Sequence, residues 1–262
     1  MKLIKYGLIG VITIITFNYA DIVMTAQIQD LTKPKEKPMK QTTYLSEECI
    51  RIDVKAEKSD ITTIFRADQE IFWMIDHKKK SYTEFTKEDL EKMQEMMKEA
   101  TSIMEQALKN LPAEQRQKME KMMKKGVAEK SNMIFKKVSS GEKVNQWLCD
   151  KYDGIIEGKK VMELWSTDWK KIGLKPEDIK VFDKMKVFFE QIAKDFASTL
   201  HIIETEKKDN MYFGMPVKIV EYEKGNIRSS YEFEEIRQEE LKLSVFEPPK
   251  GYKKEKSFEK EK

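Results

Sequence analysis

The feature that most constrains the fold is a change of hydrophobic period along the chain. Ile50, Ile52, Val54 and Ala56 share one side of an extended backbone, and Arg51, Asp53 and Lys55 share the other. A period of two marks a half-buried strand. The same pattern begins at Ile22, Met24, Ala26 and Ile28, before a Lys/Pro-rich connection over 32–40. Short strands are predicted at 61–66, 70–75 and 81–85, with turns at 67–69 and 76–80, as hairpins of an antiparallel meander. The run Ile71-Phe72-Trp73-Met74-Ile75 is apolar on both faces and needs cover on both sides.

The period then becomes helical. Thr86-Lys87-Glu88-Asp89 supplies an N-cap and first-turn acids. Leu90, Met93, Met96, Met97, Ala100, Ile103, Met104, Ala107 and Leu108 form one apolar stripe. Asn110-Leu111-Pro112 turns the chain into a second limb striped by Met119, Met122 and Met123 and ended by Gly126. A helical hairpin over about 87–125 is thus inserted into the meander. Strands return near Met133, with 144–156 and 160–166 flanking a turn at Glu157-Gly158. A second helix is predicted over 176–198, with Phe182, Met185, Phe188, Phe189, Ile192, Ala193 and Phe196 on one side. Strands at 215–221 and 226–236 follow, and 246–252 reads as a last edge segment. Residues 253–262 read as a charged, disordered tail. No linker divides 21–252, which is taken as one α+β domain.

Residues 1–20 have the form of a secretory signal peptide. Lys2 and Lys5 precede an apolar run over 8–17, which is short for a membrane span. Cleavage is expected between Ala20 and Asp21, with a cut after Ala26 as the alternative. The product is expected in the periplasm or outside the cell, and not as an integral membrane protein. The 49 basic and 46 acidic residues are interspersed, so the 36% charged fraction reads as solvated surface and argues against a nucleic-acid partner. In an exported chain, Cys49 and Cys149 permit one disulfide. Against it, Cys49 lies on the polar face of its strand with Arg51 and Asp53.

Sites for chemistry are few. His77 and His201 are far apart in sequence, and both read as surface histidines. There is no Gly-x-Ser-x-Gly elbow, no Cys-x-x-Cys or His-Glu-x-x-His spacing and no glycine-rich phosphate loop. No catalytic residue, metal ligand or cofactor is assigned, and the chain is read as non-enzymatic. The candidate site is apolar. Methionine suits adaptable apolar surfaces, so the Met stripe reads either as a lid over a cavity or as plain core. The aromatic set Phe65, Phe72, Trp73, Trp147, Trp165 and Trp169 has the same two readings. The candidate ligand-lining residues are Phe65, Trp73, Met93, Met97, Met104 and Trp165.

Several motifs, in order, carry a resemblance. They are Lys80-Ser81-Tyr82-Thr83-Glu84, Leu111-Pro112-Ala113-Glu114-Gln115-Arg116, Cys149-Asp150-Lys151-Tyr152, Glu163-Leu164-Trp165-Ser166-Thr167-Asp168, Gly214-Met215-Pro216-Val217 and Phe246-Glu247-Pro248-Pro249-Lys250-Gly251-Tyr252. Together they resemble a family of secreted bacterial proteins known as a domain of unknown function, similar to the periplasmic lipoprotein-carrier (LolA-like) half-barrels. The resemblance implies a single curved antiparallel sheet, an incomplete β-barrel, with the helical hairpin and second helix on its concave face. It also implies a lipid or acyl ligand between sheet and helices. The competing expectation is a protein–protein interaction module of the cell envelope with a solid core.

Overall fold

The computed structural model describes residues 21–109, 112, 115, 133–190 and 212–257. The predicted signal segment, the second limb of the helical hairpin, residues 191–198 of the second predicted helix and His201 lie outside the described residues.

Six strands open the described chain: β1 (Asp21–Asp30), β2 (Met39–Leu45), β3 (Cys49–Lys55), β4 (Asp60–Arg66), β5 (Ile71–Asp76) and β6 (Ser81–Thr86). Each pairs antiparallel with the next. Helix α1 (Lys87–Lys109) starts directly from β6. Its cap is reciprocal: Thr86 Oγ1 accepts from the Asp89 N–H at 3.2 Å, and the Asp89 carboxylate accepts from the Thr86 N–H at 3.0 Å. Then follow β7 (Ile134–Val144), β8 (Trp147–Ile156) and β9 (Lys159–Thr167). Two 3-10 turns, Trp169–Ile172 and Pro176–Ile179, lead into helix α2 (Val181–Glu190). Strands β10 (Met215–Glu223) and β11 (Asn226–Glu239), a 3-10 turn at Leu243–Phe246 and β12 (Lys253–Glu255) complete the described chain.

All twelve strands belong to one open sheet in the order β12-β6-β5-β4-β3-β2-β1-β11-β10-β9-β8-β7. Every pairing is antiparallel except β12 with β6. The two halves meet at β1 and β11, registered from Asp21↔Glu239 to Asp30↔Ser229. The sheet curls at its β7 end. Asn145, between β7 and β8, donates to the Phe233 carbonyl of β11 at 2.7 Å and to Glu232 at 3.1 Å. In a flat sheet β8 and β11 would stand about 14 Å apart. The architecture is therefore α+β, a large curved antiparallel sheet with two described helices.

Several expectations are corrected. The Lys/Pro connection is shorter than 32–40, because Met39–Leu45 is a strand. The segment 144–156 is not one strand: Asn145 (φ 49°) turns the chain between β7 and β8. The helix predicted from Pro176 begins as a 3-10 turn and becomes α-helical at Val181. The start of the supposed tail is ordered. Lys253–Glu255 pairs with β6, and the Ser257 hydroxyl donates to Asp89 at 3.1 Å. Helix α1 does not lie buried across the concave face over its described length. It springs from β6, the strand next to the β12 edge; Leu90 and Leu108 are buried, whereas Met96 is 54% and Ile103 61% exposed.

Candidate functional site

One register position repeats across six strands. Ile22 faces Leu45, Leu45 faces Ile50, Ile50 faces Phe65, Phe65 faces Phe72 and Phe72 faces Phe85. Successive Cβ atoms alternate between faces, so this row lies on one side, here termed inner. Helix α2 covers it. The Phe65 and Phe188 rings lie 5.3 Å apart, Phe72 and Phe189 5.1 Å, and Phe188 and Phe189 5.0 Å. Aromatic pairs at these distances and tilts add to simple burial. Val181 and Met185 anchor the helix in the main core, and Lys184 ties it to Glu48 and to the Glu47 carbonyl.

Among the described residues the cover is incomplete. The next inner row runs Met24, Thr43, Ile52, Thr63, Met74 and Thr83. Along it the burial falls from Met24 at 3% exposed to Met74 at 47%. Val54 and Ile61, one row further, are half-buried, as are Phe72, Phe85, Phe188 and Phe189. The lining is mixed: Thr43, Thr63 and Thr83 alternate with Met24, Ile52 and Met74, and beside them Gln41 Nε2 donates to the Tyr231 hydroxyl at 3.2 Å, where burial pushes that hydroxyl's pKa well up. The inner face thus has an apolar half under α2 and a half that is partly open, where methionine and isoleucine alternate with threonine. Such a surface can take up apolar chains.

The six candidate lining residues do not converge. Phe65 belongs to the inner row, and Trp165 belongs to the same core cluster. The Trp165 indole N–H donates to Glu142 at 2.6 Å, and the ammonium groups of Lys151 and Lys218 lie 4.5 and 5.4 Å from its ring centre. Those lysines pair with Glu163 (3.2 Å) and Glu232 (2.8 Å), so this end is polar. Burial raises the Glu163 pKa, but bonds from Lys160, Tyr222 and Lys151 outweigh it and hold the carboxyl below its ordinary value. Met93 is half-buried in α1. Met97 and Met104 also lie in α1, and their side chains are outside those described.

Trp73 is on the outer face, in a separate cluster with Cys49, Ile64, Ile75 and Phe246. It therefore cannot share an inner cavity with Phe65. The same division separates the cysteines. Cys49 packs in the outer cluster and Cys149 in the main core; both are buried and free, so the expected disulfide is not formed. His77 is more than a surface histidine. Its Nε2 lies 2.8 Å from Thr62 Oγ1, which donates to Asp53 at 2.6 Å, and its Nδ1 lies 3.0 Å from the Tyr252 hydroxyl. Among the described residues no cluster of His, Cys, Asp and Glu could hold a metal ion, and no helix is long and apolar enough to cross a membrane.

The family model described as "Domain of unknown function (DUF4412)" matches residues 86–252. The chain belongs to the DUF4412 family. This is the kind of family that the ordered motifs resemble, and the match runs from the end of β6 to Tyr252. Comparison of this DUF4412 chain with the curated proteins gives no match. Among solved structures it is similar to an uncharacterized conserved protein from Thermus thermophilus, at 10% identity and TM-score 0.46 over 90% of each chain. It is similar to PNGF-II at 10% identity and TM-score 0.37, over 91% of this chain and 31% of that one. A LolA superfamily protein, NE2245 from Nitrosomonas europaea, is also found, at 7% identity and TM-score 0.28 over 87% and 89% of the two chains.

Proposed function

We propose that this DUF4412 domain is a non-catalytic binder of an apolar ligand, a lipid or acyl chain, held on the inner face of β2–β6 beside α2. The observation that carries the reading is the uneven cover of that face: one apolar row is sealed by α2, and the next opens out to Met74. An open apolar surface in a concave setting costs solvation unless something occupies it. Residues 1–20 are taken as a removable signal, so the domain works in the periplasm or outside the cell.

The test is displacement of a fluorescent fatty acid from the purified protein. Wild type binds the probe saturably. Met74→Asp, at an exposed position, weakens binding at least about tenfold, because it sets a carboxylate on the apolar floor. Failure of wild type to bind any such probe overturns the reading. Mass analysis of the exported protein should find its N-terminus at Asp21.

A second reading, docking of an envelope protein, is favoured by one observation. Met96 and Ile103 are seven positions apart on α1 and both exposed, the spacing of a helix-in-groove contact. It predicts that Met96→Asp abolishes co-purification of a protein partner and leaves probe binding untouched.

A further inference from the structure

The outer face carries a second concavity that the apolar-ligand reading does not use. The chain after the Leu243–Phe246 turn crosses β4, β5 and β6 as a strap. Both ends are fixed. Phe246 is 1% exposed in the outer cluster, and beyond the strap β12 pairs with β6. Between these anchors Glu247-Pro248-Pro249-Lys250-Gly251-Tyr252 stands off the sheet. Beneath it is a cleft of about 420 Å³, floored by Arg66, Trp73, Tyr82 and Glu84. That is within the size range of small-molecule sites.

The lining is held in place. The strap closes through a turn in which the Tyr252 N–H donates to the Pro249 carbonyl at 3.3 Å, with Gly251 at φ 84°. That is the glycine position of a type II turn. The Tyr252 hydroxyl is pinned by His77, at the end of the chain through Thr62 to Asp53. The Trp73 indole N–H donates to Glu84 at 2.9 Å, and Lys254 donates to the same carboxylate at 2.6 Å. Arg66, only 3% exposed, gives Nε and Nη2 to Asp68 at 2.8 and 2.6 Å. Its Nη1 makes no hydrogen bond among the described residues. Nη1 is therefore a donor on a buried, oriented guanidinium in the wall of the cleft.

Charge and shape select the occupant. Arg66 is balanced by Asp68 and Glu84 by Lys254, and the exposed pair at the mouth, Glu247 and Lys250, has opposite signs. A net anion or cation gains nothing from such a lining. The walls alternate flat apolar surfaces (Trp73, Tyr82, Tyr252, Pro248) with donors and acceptors (Arg66, Gln69, Glu247). A saccharide ring matches both, with C–H faces to lie on the aromatic rings and hydroxyls that donate and accept. We infer that the cleft between the strap and β4–β6 binds a neutral saccharide, independently of the inner-face site.

The experiment is saturation-transfer NMR and tryptophan-fluorescence titration of the full chain with chitotriose, cellotriose and maltotriose. At least one probe should bind wild type saturably at millimolar concentration or below. Tyr82→Ala should weaken it about tenfold, the loss of one aromatic platform. Gln69→Ala, a change at an exposed residue of the rim, should remove a donor and acceptor and weaken it about threefold or more while leaving the unfolding midpoint in place. This second variant decides the matter if Tyr82→Ala does not fold. No binding of any of the three sugars to wild type overturns the inference. So does binding that neither folded variant weakens. Fatty-acid binding by the inner face is unaffected by either variant, which separates the two sites.

Discussion

Gly214 shows how narrowly single positions are set. Its φ is 98°, and a Cβ there would stand 2.2 Å from the Thr167 carbonyl oxygen. Neither the backbone conformation nor the space admits a side chain. Gly214→Ala should cost about 2–3 kcal/mol in urea denaturation. The cysteines make a second test. Burial pushes both thiols up, Cys149 to about 11, so both are protonated and covered at pH 8. Native protein should react slowly with a thiol reagent, and unfolding without reductant should release two thiols. One disulfide and no thiol would contradict the structure. The sequence places Cys49 correctly on the face of Arg51 and Asp53, but β-alternation alone does not say that Phe246 later buries that face. The face of Trp73 is not legible for a related reason: its strand is apolar on both sides, so alternation does not say which face α2 covers.

At the scale of elements, the longest periodic segments are the most legible. Strands β3 to β6 and the start and cap of α1 follow from period and capping residues, whereas the stripe does not translate into burial: Leu90 and Leu108 are buried, but Met96 and Ile103 are exposed. Strand β2 escapes the pattern because Gln41, Thr42 and Thr43 look like more of the polar connection, although Thr and Tyr favour strands. Strand β12 escapes it because three charged residues carry no hydrophobic signal; pairing with β6 makes it a strand. That small element has a pH-dependent clasp. Burial raises the Glu84 pKa, but the bonds from Lys254 and Trp73 outweigh it and leave the carboxyl below its ordinary value. A lowered folded-state value stabilises the fold above the unfolded value of about 4.3 and loses that contribution as pH falls through the folded one. In urea titrations wild type should therefore exceed Glu84→Gln at pH 7, and the gap should close below about pH 4. Phe246→Ala, which empties the anchor of the strap, should cost about 3–5 kcal/mol at neutral pH.

At the scale of the whole molecule, an open sheet has two edges to protect. The β12 edge is three residues long and charged. The β7 edge is longer, and two register shifts, at Lys137/Ser139 and Ser140/Glu142, break its ladder while Lys136, Lys137 and Lys143 line it. Bulges and lysines are common guards against edge-to-edge pairing. Replacing Lys136 and Lys143 by valine should increase self-association in light scattering without lowering the unfolding midpoint. The partly exposed inner row is not legible in the sequence, because it depends on which strands are neighbours and on which of their rows α2 covers.

The pairing of β1 with β11 has a consequence in time. The first described strand sits mid-sheet, yet one of its two partners is the eleventh, with Asp21 opposite Glu239. A ribosome delivers the chain from its N-terminus, so β1 waits with one side unpaired until nearly all the rest has emerged. Contacts so distant along the chain close slowly, because loop entropy must be overcome before they are rewarded. The sheet therefore completes late. A polypeptide wired this way stays loose until its far end is available to pair with its beginning.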